Sequence, residues 1–355
     1  MNDLHAAVVA VGAQGSVHLH GYRRLAGVRV VGVTDSEPDR ATAVASGIGA
    51  TTYAGVAALL ESETVDVLSV CTPPAHHERI VLDALDAGVP AVHCEKPMAL
   101  TFGGARRMSA AADSRGALLT VNHQRRLDPA YRSAREAVRA GEIGDVQSFE
   151  GYCANLFDWG SHVVDLILFF AGDEGPAQVF GSIDVTERRH VYGALVETAA
   201  VSHLYWADGR HATIFTGHVE ALSREPRNIV VVHGTDGRLE VRGSEVVVRR
   251  FDGGGRRIAC TVDAEHRVDL HGVDPAVIQG TALALQDLVQ CLRSGAEPVL
   301  AARHGLAAAE VVFATYQSSA LRAPVTLPLT STDNALLRGL ELGYWTPIGE
   351  SHGTS

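Results

Sequence analysis

The chain has 355 residues, a length that favours two domains, and its 46% hydrophobic and 20% charged residues are a normal globular balance. This composition excludes wholesale disorder, collagen and coiled-coil architectures. The 41 acidic and 30 basic side chains give a formal charge of −11, which argues against nucleic acid or an anionic membrane surface as a partner.

The chain carries no recognisable targeting or membrane segment. Its longest apolar stretch, residues 163–171, contains Asp165 and falls well short of the roughly 20 residues that span a bilayer. The first residues lack the basic region and apolar core of a secretion signal. Five scattered cysteines without a C-x-x-C pair suggest neither disulfides nor a zinc cluster. We therefore expect a cytoplasmic protein with reduced thiols.

Residues 6–122 alternate short β-branched runs with helical stretches, which is the pattern of βαβ units around a buried parallel sheet. A further helix over 129–140 stops at Gly141 and marks the expected domain crossing. Strands are predicted at 6–11, 28–34, 65–71, 90–94 and 118–122, and helices at 16–25, 39–46, 77–87 and 102–114.

The second half has longer alternating runs joined by turn signals, which predict a mostly antiparallel sheet. Two amphipathic helices follow, one through Ile278 to Leu292 and one through Leu306 to Ala320. The fold class is therefore α/β, with an N-terminal doubly wound parallel sheet and a C-terminal α+β domain with an open sheet. We expect a dinucleotide-binding domain at 1–125, a substrate-binding and oligomerisation domain at 126–330, and a C-terminal arm at 331–355.

A glycine-rich turn joins the first predicted strand to the first helix, as in the G-x-G-x-x-G fingerprint of dinucleotide-binding folds. Ala10 replaces the first glycine of that pattern and is small enough to keep the turn. Gly12 allows the backbone to approach a pyrophosphate, and Gly15 allows the helix to pack closely on the strand. Ala13 and Gln14 complete the turn. A pair of glycines used only for helix packing is the alternative interpretation.

Asp35 strengthens the dinucleotide interpretation because it lies twenty residues after Gly15, at the end of the second predicted strand. A carboxylate there accepts hydrogen bonds from an adenosine ribose diol and repels a 2′-phosphate. NAD is therefore favoured over NADP as the cofactor, although Arg40 lies within reach of a 2′-phosphate.

One compositional bias singles out Lys96. Of the 30 basic residues, 29 are arginine, and Lys96 is the single lysine. Its ammonium is a compact, titratable donor that a guanidinium does not imitate, which suggests a chemical role. Chance survival at an exposed site is the alternative.

The chain resembles the Gfo/Idh/MocA oxidoreductases, named for glucose-fructose oxidoreductase, inositol dehydrogenase and a rhizopine-catabolism protein, through about residue 329. Each motif alone is weak, and together they are specific. Beyond the glycine-rich turn, the motifs are Thr72-Pro73-Pro74-Ala75-His76-His77-Glu78, Glu95-Lys96-Pro97, Arg125-Arg126-Leu127-Asp128-Pro129 and Asp158-Trp159-Gly160-Ser161-His162-Val163-Val164-Asp165.

The resemblance implies a role for each motif. Lys96 falls on the family's catalytic lysine, and Pro97 is expected to follow a cis peptide. Asp158 and His162 match a D-x-x-x-H pair, which on a helix shares one face. The implied substrate-binding residues are Arg125, Asn155, Asp158 and His162. The implied cofactor-binding residues are Gly12, Ala13, Gln14, Gly15, Asp35, Thr72, Pro73, His77, Glu95 and Lys96.

Other interpretations of the D-x-x-x-H pair stay open. Asp158 is also compatible with a helix cap and His162 with a satisfied core histidine. A metal site built from both residues and His123 has no supporting spacing, so no metal is expected. Only thirteen residues separate Gly144 from Asp158, fewer than in many members, which leaves the substrate unassigned.

The resemblance implies an NAD-dependent oxidoreductase that moves a hydride between a secondary hydroxyl of a sugar, sugar derivative or cyclitol and nicotinamide. An NAD-dependent glycosidase that oxidises its substrate transiently is the first alternative, and a non-catalytic dinucleotide or sugar sensor is the second. The family also implies a homodimer or homotetramer that pairs through the C-terminal sheet.

Overall fold

The computed structural model describes residues 3–217, 229–345 and 347, and the chain divides into two compact units. The first unit comprises the described residues of Met1–Ala99, Gly104–Asp128 and Val262–Gly305. The second comprises Leu100–Gly103 and the described residues from Pro129 to Thr261 and from Leu306 onward. No helix among the described residues is long and apolar enough to cross a membrane.

The first unit is built on a six-stranded parallel sheet with the order β3-β2-β1-β4-β5-β6. The chain adds strands toward one edge of the sheet up to β3 and toward the other edge from β4 onward, so the strand order reverses between β1 and β4. Ligands of such sheets bind at the carboxyl ends of the strands that flank this point. Strands β1 to β6 are Leu4–Val9, Val28–Thr34, Thr51–Tyr53, Val67–Val70, Ala91–Cys94 and Leu118–Val121.

Helices of the first unit also pack against one another. Helix α1 lies against α8, and α3 lies against α4. Leu285, Leu288 and Val289 of α8 join the apolar side chains of α1 and β1 in one buried cluster. Helices α1 to α10 are Ala13–Tyr22, Pro38–Ile48, Val56–Ser62, His77–Asp86, Phe102–Arg115, Pro129–Arg139, Trp159–Phe170, Pro275–Ser294, Ala302–Leu321 and Ala335–Glu341.

The second unit is built on a nine-stranded sheet with the order β16-β15-β14-β13-β7-β12-β11-β8-β17. Its pairs are antiparallel except for β12 and β7, which run parallel. Strands β9 and β10 form a separate two-stranded sheet. Strands β7 to β17 are Val146–Cys153, Gln178–Asp184, Arg189–Val191, Ala194–Val196, Ala199–Tyr205, His211–Thr216, Ile229–Gly234, Gly237–Arg242, Glu245–Arg250, Gly255–Ala259 and Val325–Thr326.

One face of this sheet is covered by helices, and α7 is buried along its whole length from Gly160 to Phe170. Alternation along the strands places apolar side chains on that face; β8, for example, alternates exposed and buried residues. Side chains of α6, α7 and α9 and of the strands form a single core. The predicted α/β class and the mostly antiparallel second sheet are both confirmed.

The units differ from the predicted domains in two places. Residues 262–305, assigned from the sequence to the second domain, lie in the first unit, because the apolar face of α8 packs on α1. The expected arm is partly structured, since Asn334 caps α10 and Leu336 is fully buried in the second core. Residues 346 and 348–355 of that arm lie outside the described residues.

Several elements escaped prediction, among them β3, α3, β7 and α10. Strand β3 and helix α3 are short and carry weak periodicity. Strand β7 lies within the short segment between Gly144 and Asp158, and it is a central strand of the second sheet. The residues of that segment therefore build the sheet and most of the five-residue loop, residues 154–158, that leads to α7.

Candidate active site

The glycine-rich turn takes the conformation that the dinucleotide fingerprint requires. Ala10 has φ +68°, a left-handed conformation that costs an L-residue roughly 1–2 kcal/mol. A Cβ at Gly15 would overlap the carbonyl oxygen of Ala10, so the close approach of α1 to β1 needs glycine there. A Cβ at Gly12 would meet no atom within 4 Å, so packing does not explain this glycine. Gly12 therefore borders open space at the amino end of α1, where a pyrophosphate fits.

These two glycines should respond differently to the same substitution. Gly12→Ala is expected to leave the melting temperature nearly unchanged while weakening NADH binding by about tenfold, since its methyl group enters the pyrophosphate space. Gly15→Ala is expected to lower the free energy of unfolding by about 2 kcal/mol or more through overpacking. Thermal melts and NADH fluorescence titration measure both. Unaltered NADH affinity in Gly12→Ala would contradict the assignment.

Asp35 follows β2 and is tied to the glycine-rich turn. The main-chain N–H of Val11 donates to Asp35 Oδ2 at 2.8 Å, and the N–H of Glu37 donates to Oδ1 at 2.9 Å. Arg40 donates to both carboxylate oxygens. Burial works to raise the pKa of Asp35, but the bonds from Arg40, Glu37 and Val11 outweigh it and leave the pKa below its usual value. An anion thus lies where a ribose diol binds in this fold.

His77 joins the two turns that follow β4 and β5. Its ring is fully buried, with Nδ1 2.9 Å from the carbonyl oxygen of Pro97 and Nε2 2.8 Å from that of Thr72. Burial lowers its pKa, and the two carbonyls, which accept hydrogen bonds from ring N–H groups, oppose that effect. Because both nitrogens face main-chain carbonyls, His77 positions the Thr72-Pro73 turn and does not offer a ring nitrogen to a cofactor.

Lys96 lies in the turn directly after β5, at the carboxyl edge of the first sheet. The Lys96–Pro97 peptide is cis, as the resemblance implied. Met98 and Ala99 after it are buried, so the turn is anchored on both sides. The single lysine of the chain thus lies on the same sheet edge as the glycine-rich turn.

A buried hydrogen-bonded network lies beside this turn. Asn122 Nδ2 donates to Glu95 Oε1 at 2.7 Å, and His18 Nε2 lies 3.0 Å from the same oxygen. An ionised carboxylate only accepts, so His18 Nε2 carries the hydrogen. His18 Nδ1 lies 2.9 Å from Ser69 Oγ, which lies 2.8 Å from the Tyr22 hydroxyl. The network connects α1 to the residue that precedes Lys96.

The charge of Glu95 is retained despite its burial. Burial works to raise the pKa of Glu95, but the bond and charge of His18, the Asn122 amide and the charge of Lys96 outweigh it. The pKa therefore lies well below its usual value. Sequence reasoning named Glu95 but missed His18, because a histidine on a helix face carries no signal of its partner.

Replacement of His18 should expose the cost of that buried charge. His18→Leu is expected to lower the free energy of unfolding by about 3 kcal/mol at pH 7, because one partner of a buried pair is lost. A lowered carboxyl pKa stabilises the fold above the unfolded-state value of about 4.3, and this stabilisation is lost as pH falls. The difference from wild type should therefore shrink below about pH 4.

Urea unfolding at several pH values measures this effect. His190→Leu, at an exposed position of the second unit, is the matched control and should change stability by less than about 0.5 kcal/mol. A loss that stays constant down to pH 3 would mean that packing, and not the Glu95 charge, explains the effect.

In the second unit, Asp158 and His162 lie one turn apart at the amino end of α7, and both are buried. Asp158 occupies the N-cap position, yet its side chain makes no capping hydrogen bond. The loop is instead closed by Asn155, whose Oδ1 accepts the N–H of Asp158 at 2.7 Å and whose carbonyl accepts the N–H of Gly160 at 2.8 Å. The helix-cap interpretation of Asp158 is therefore wrong.

The carboxylate of Glu197 binds the main chain of this loop at Leu156. The sequence did not predict this role. The fully buried Glu197 carboxylate accepts the N–H of Leu156, the Thr216 hydroxyl at 3.2 Å and the Tyr316 hydroxyl at 2.6 Å. Burial raises its pKa, and these three bonds offset the rise only in part. The one available signal was an acidic residue among apolar and small residues, at the start of the strand that the sequence predicts over 196–206. Asn155 and Glu197 together set the path of the chain into Asp158.

The predicted residues fall into one group in each unit. Gly12, Asp35, Thr72 and Lys96 follow strands of the first sheet, and Arg125 lies half-buried in the short 3-10 helix Gln124–Leu127 after β6. Asn155, Asp158 and His162 belong to the second unit. In the described part of the chain, no three His, Cys, Asp or Glu side chains are grouped to hold a metal ion.

The chain is similar to known proteins along most of its length. The chain is 29% identical over 337 residues to D-apiose dehydrogenase of Paraburkholderia graminis, covering 88% of this chain and 87% of that protein. It is 37% identical over 145 residues to inositol 2-dehydrogenase of Ralstonia nicotianae, covering 40% of this chain and 43% of that protein.

The same fold occurs in a crystal structure of an oxidoreductase from Agrobacterium radiobacter in complex with NAD+, L-tartaric acid and magnesium. The TM-score is 0.79 at 19% sequence identity, covering 92% of this chain and 98% of that one. Family models match residues 4–123, as the oxidoreductase family's NAD-binding Rossmann fold, and residues 150–327, as its C-terminal α/β domain. The chain therefore belongs to the Gfo/Idh/MocA family of NAD-binding oxidoreductases.

Proposed function

We propose that this protein is a cytoplasmic NAD-dependent dehydrogenase that oxidises a secondary hydroxyl of a sugar, sugar derivative or cyclitol. The observation that carries the proposal is the place of the only lysine, in the cis-proline turn on the nucleotide-binding edge of the first sheet. The names of the relatives, D-apiose dehydrogenase and inositol 2-dehydrogenase, support the substrate class. Five free cysteines suit a reducing compartment.

The residues of the first unit fit the cofactor. Gly12, Ala13, Gln14 and Gly15 shape a turn with open space before the amino end of α1, and Asp35 supplies the ribose acceptor. Thr72, Pro73 and Glu95 border the adjacent strand ends. When bound, NAD supplies a hydride acceptor at its nicotinamide ring.

We assign the proton transfer to a residue of the second unit. His162 takes the proton of the substrate hydroxyl as the carbinol hydride departs, a role suited to imidazole at neutral pH. Asp158, whose carboxylate is not used as a cap, orients that imidazole and holds a neighbouring hydroxyl. Lys96 donates a hydrogen bond to the reacting oxygen and stabilises its developing negative charge. Arg125 binds a further hydroxyl, and Asn155 acts by holding Asp158.

The proposed role of Lys96 is tested by replacing it with arginine. Lys96→Arg keeps the charge but cannot reproduce a compact titratable donor, so kcat is expected to fall by about 10² or more. NADH affinity and melting temperature are expected to stay within the range of wild type. Steady-state kinetics, NADH fluorescence titration and thermal melts measure the three. A kcat near that of wild type would show that Lys96 has no role in the reaction.

The substrate is sought by an NAD-reduction screen over cyclitols, aldoses, amino sugars and glycosides. Net NADH formation with one of these compounds supports a dehydrogenase. Release of aglycone without net NADH identifies the glycosidase alternative, because its hydride returns to the substrate. No turnover across the panel would reject both and leave the sensor interpretation.

We further propose that the open face of the second sheet pairs subunits into a dimer or tetramer. Phe180 and Phe215 are 41% and 37% exposed, and they lie opposite His203 and Val201 of β11. Alternate residues of a strand share one face, so Tyr205, 46% exposed, lies on this face too. An exposed apolar face of this kind favours association.

Light scattering tests the proposed pairing. The double variant Phe180→Glu, Phe215→Glu is expected to have a lower molar mass than wild type. Each subunit would bury two unpartnered charges in the proposed interface, which disfavours association. Phe251→Glu is the matched control, since Phe251 is 70% exposed and lies between β15 and β16. A double variant with the wild-type molar mass would place the interface elsewhere.

A further inference from the structure

A short hairpin leaves the second sheet at the end where Asp158 and His162 are reached. Strands β7 and β12 run parallel and finish side by side at Cys153 and Thr216, and the loop into Asp158 follows β7. Strand β11 runs antiparallel to β12 and begins at this end, where its first residue pairs with the last residue of β8. The hairpin of β9 and β10 connects β8 to β11, so it lies at the same end of the sheet.

The base of this hairpin is in contact with the loop that follows β7. Glu197 directly follows β10, and its carboxylate accepts a main-chain N–H of the loop. Gly217 directly follows β12, and its N–H donates to the carbonyl of Ala154 in the loop at 3.2 Å. A Cβ on Gly217 would lie 2.9 Å from the carbonyl oxygen of Thr198. The Thr198 carbonyl and the loop therefore both pack against Gly217.

Arg189 of β9 places a guanidinium beside the same carbonyl. Its Nη1 donates to the Thr198 oxygen at 3.5 Å, which is a long and weak hydrogen bond, and the residue is half-buried. A guanidinium has five N–H donors. Within the described part of the chain, the other four have no acceptor and the charge has no carboxylate partner. Arg189 is thus a half-buried cation that the protein itself does not neutralise.

The acids nearest to Arg189 along the chain are engaged elsewhere. The Asp184 carboxylate accepts the N–H and the hydroxyl of Thr186. Glu197 is fully buried and holds three donors of its own. Glu187 is exposed and pairs with none of the described cations. Because a half-buried charge is costly without a counter-charge, this guanidinium is suited to receive an anion from a ligand.

We propose that Arg189 is a specificity-determining residue that binds a carboxylate of the substrate, so that the preferred substrate is a sugar acid. The planar fork of a guanidinium matches a carboxylate in two parallel hydrogen bonds. One guanidinium also balances the single charge of a carboxylate, whereas a phosphate monoester carries nearly two charges at neutral pH. This inference rests on the proposed function, because that function brings the substrate to Asp158 and His162.

Binding of matched sugars to the protein loaded with NADH tests the inference without turnover. Calorimetric titration compares D-glucuronate, D-galacturonate and D-gluconate with D-glucose, D-galactose and D-glucitol, and at least one acid should bind about tenfold tighter than its neutral counterpart. Arg189→Gln should remove that advantage and leave the affinity for the neutral compound within about threefold of wild type. Arg139→Gln is the matched control, because Arg139 is an exposed arginine of α6 in the same unit, and it should change neither affinity.

Kinetics and a charge-retaining variant complete the test. With an acid that is oxidised, Arg189→Gln should raise KM by about tenfold and leave kcat within about threefold, as expected for loss of binding that is equal in the ground and transition states. Arg189→Lys keeps the charge without the fork and should lie between wild type and Arg189→Gln. Melting temperatures near that of wild type exclude a folding defect.

Three results would overturn the inference. They are acids that bind no tighter than their neutral counterparts, equal losses of acid and neutral affinity in Arg189→Gln, and tighter binding of glucose 6-phosphate than of every acid. Oxidation of a neutral sugar with net NADH formation would still support the dehydrogenase in each case. Acid binding that depends on Arg189, without NADH formation from any compound, would instead uphold the carboxylate site and reject the proposed reaction.

Discussion

The close approach of α1 to β1 is the constraint on which the first unit depends. Gly15 faces the carbonyl of Ala10 with no room for a side chain, and Ala10 accepts an unfavourable φ to make the turn. That approach leaves Gly12 bordering open space and brings the N–H of Val11 to Asp35. It also places His18, one turn along α1 from Gly15, beside Glu95. A single tight contact thus shapes the proposed pyrophosphate space, the proposed ribose acceptor and the support of the Lys96 turn.

Each unit has a buried glutamate beside its candidate site residues, and the environments of these two glutamates shift their pKa values in opposite directions. Glu95 has His18 and the charge of Lys96 nearby, which outweigh its burial and favour the anion. Glu197 has only neutral donors, from Tyr316, Leu156 and Thr216, so burial prevails and its pKa rises. In each case the hydrogen bonds of the carboxyl group hold the chain next to a proposed catalytic group. A buried carboxylate is costly to stability unless it is paired, so each glutamate depends on its hydrogen-bond donors.

The carboxylate that follows β2 is paired with a guanidinium in the folded protein. Asp35 was identified as an acid at the end of β2, and an isolated acid there implies rejection of a 2′-phosphate. In the folded protein its charge is shared with Arg40, five residues later on α2. The chemistry at this position therefore belongs to an acid–guanidinium pair rather than to one carboxylate.

The sequence by itself determined the features that depend on local pattern. Period-two and helical alternation predicted both sheets and most helices, and the motifs around Gly12, Lys96 and His162 predicted the family and the candidate site. Short elements such as β3 and α3 were missed, because three to seven residues carry too little periodicity. Only the tertiary structure decided that α8 joins the first unit, because an amphipathic helix does not encode which surface its apolar face will cover. Tertiary structure likewise decided the partners of His18 and Glu197, since hydrogen bonds between residues distant in sequence leave no mark on local pattern.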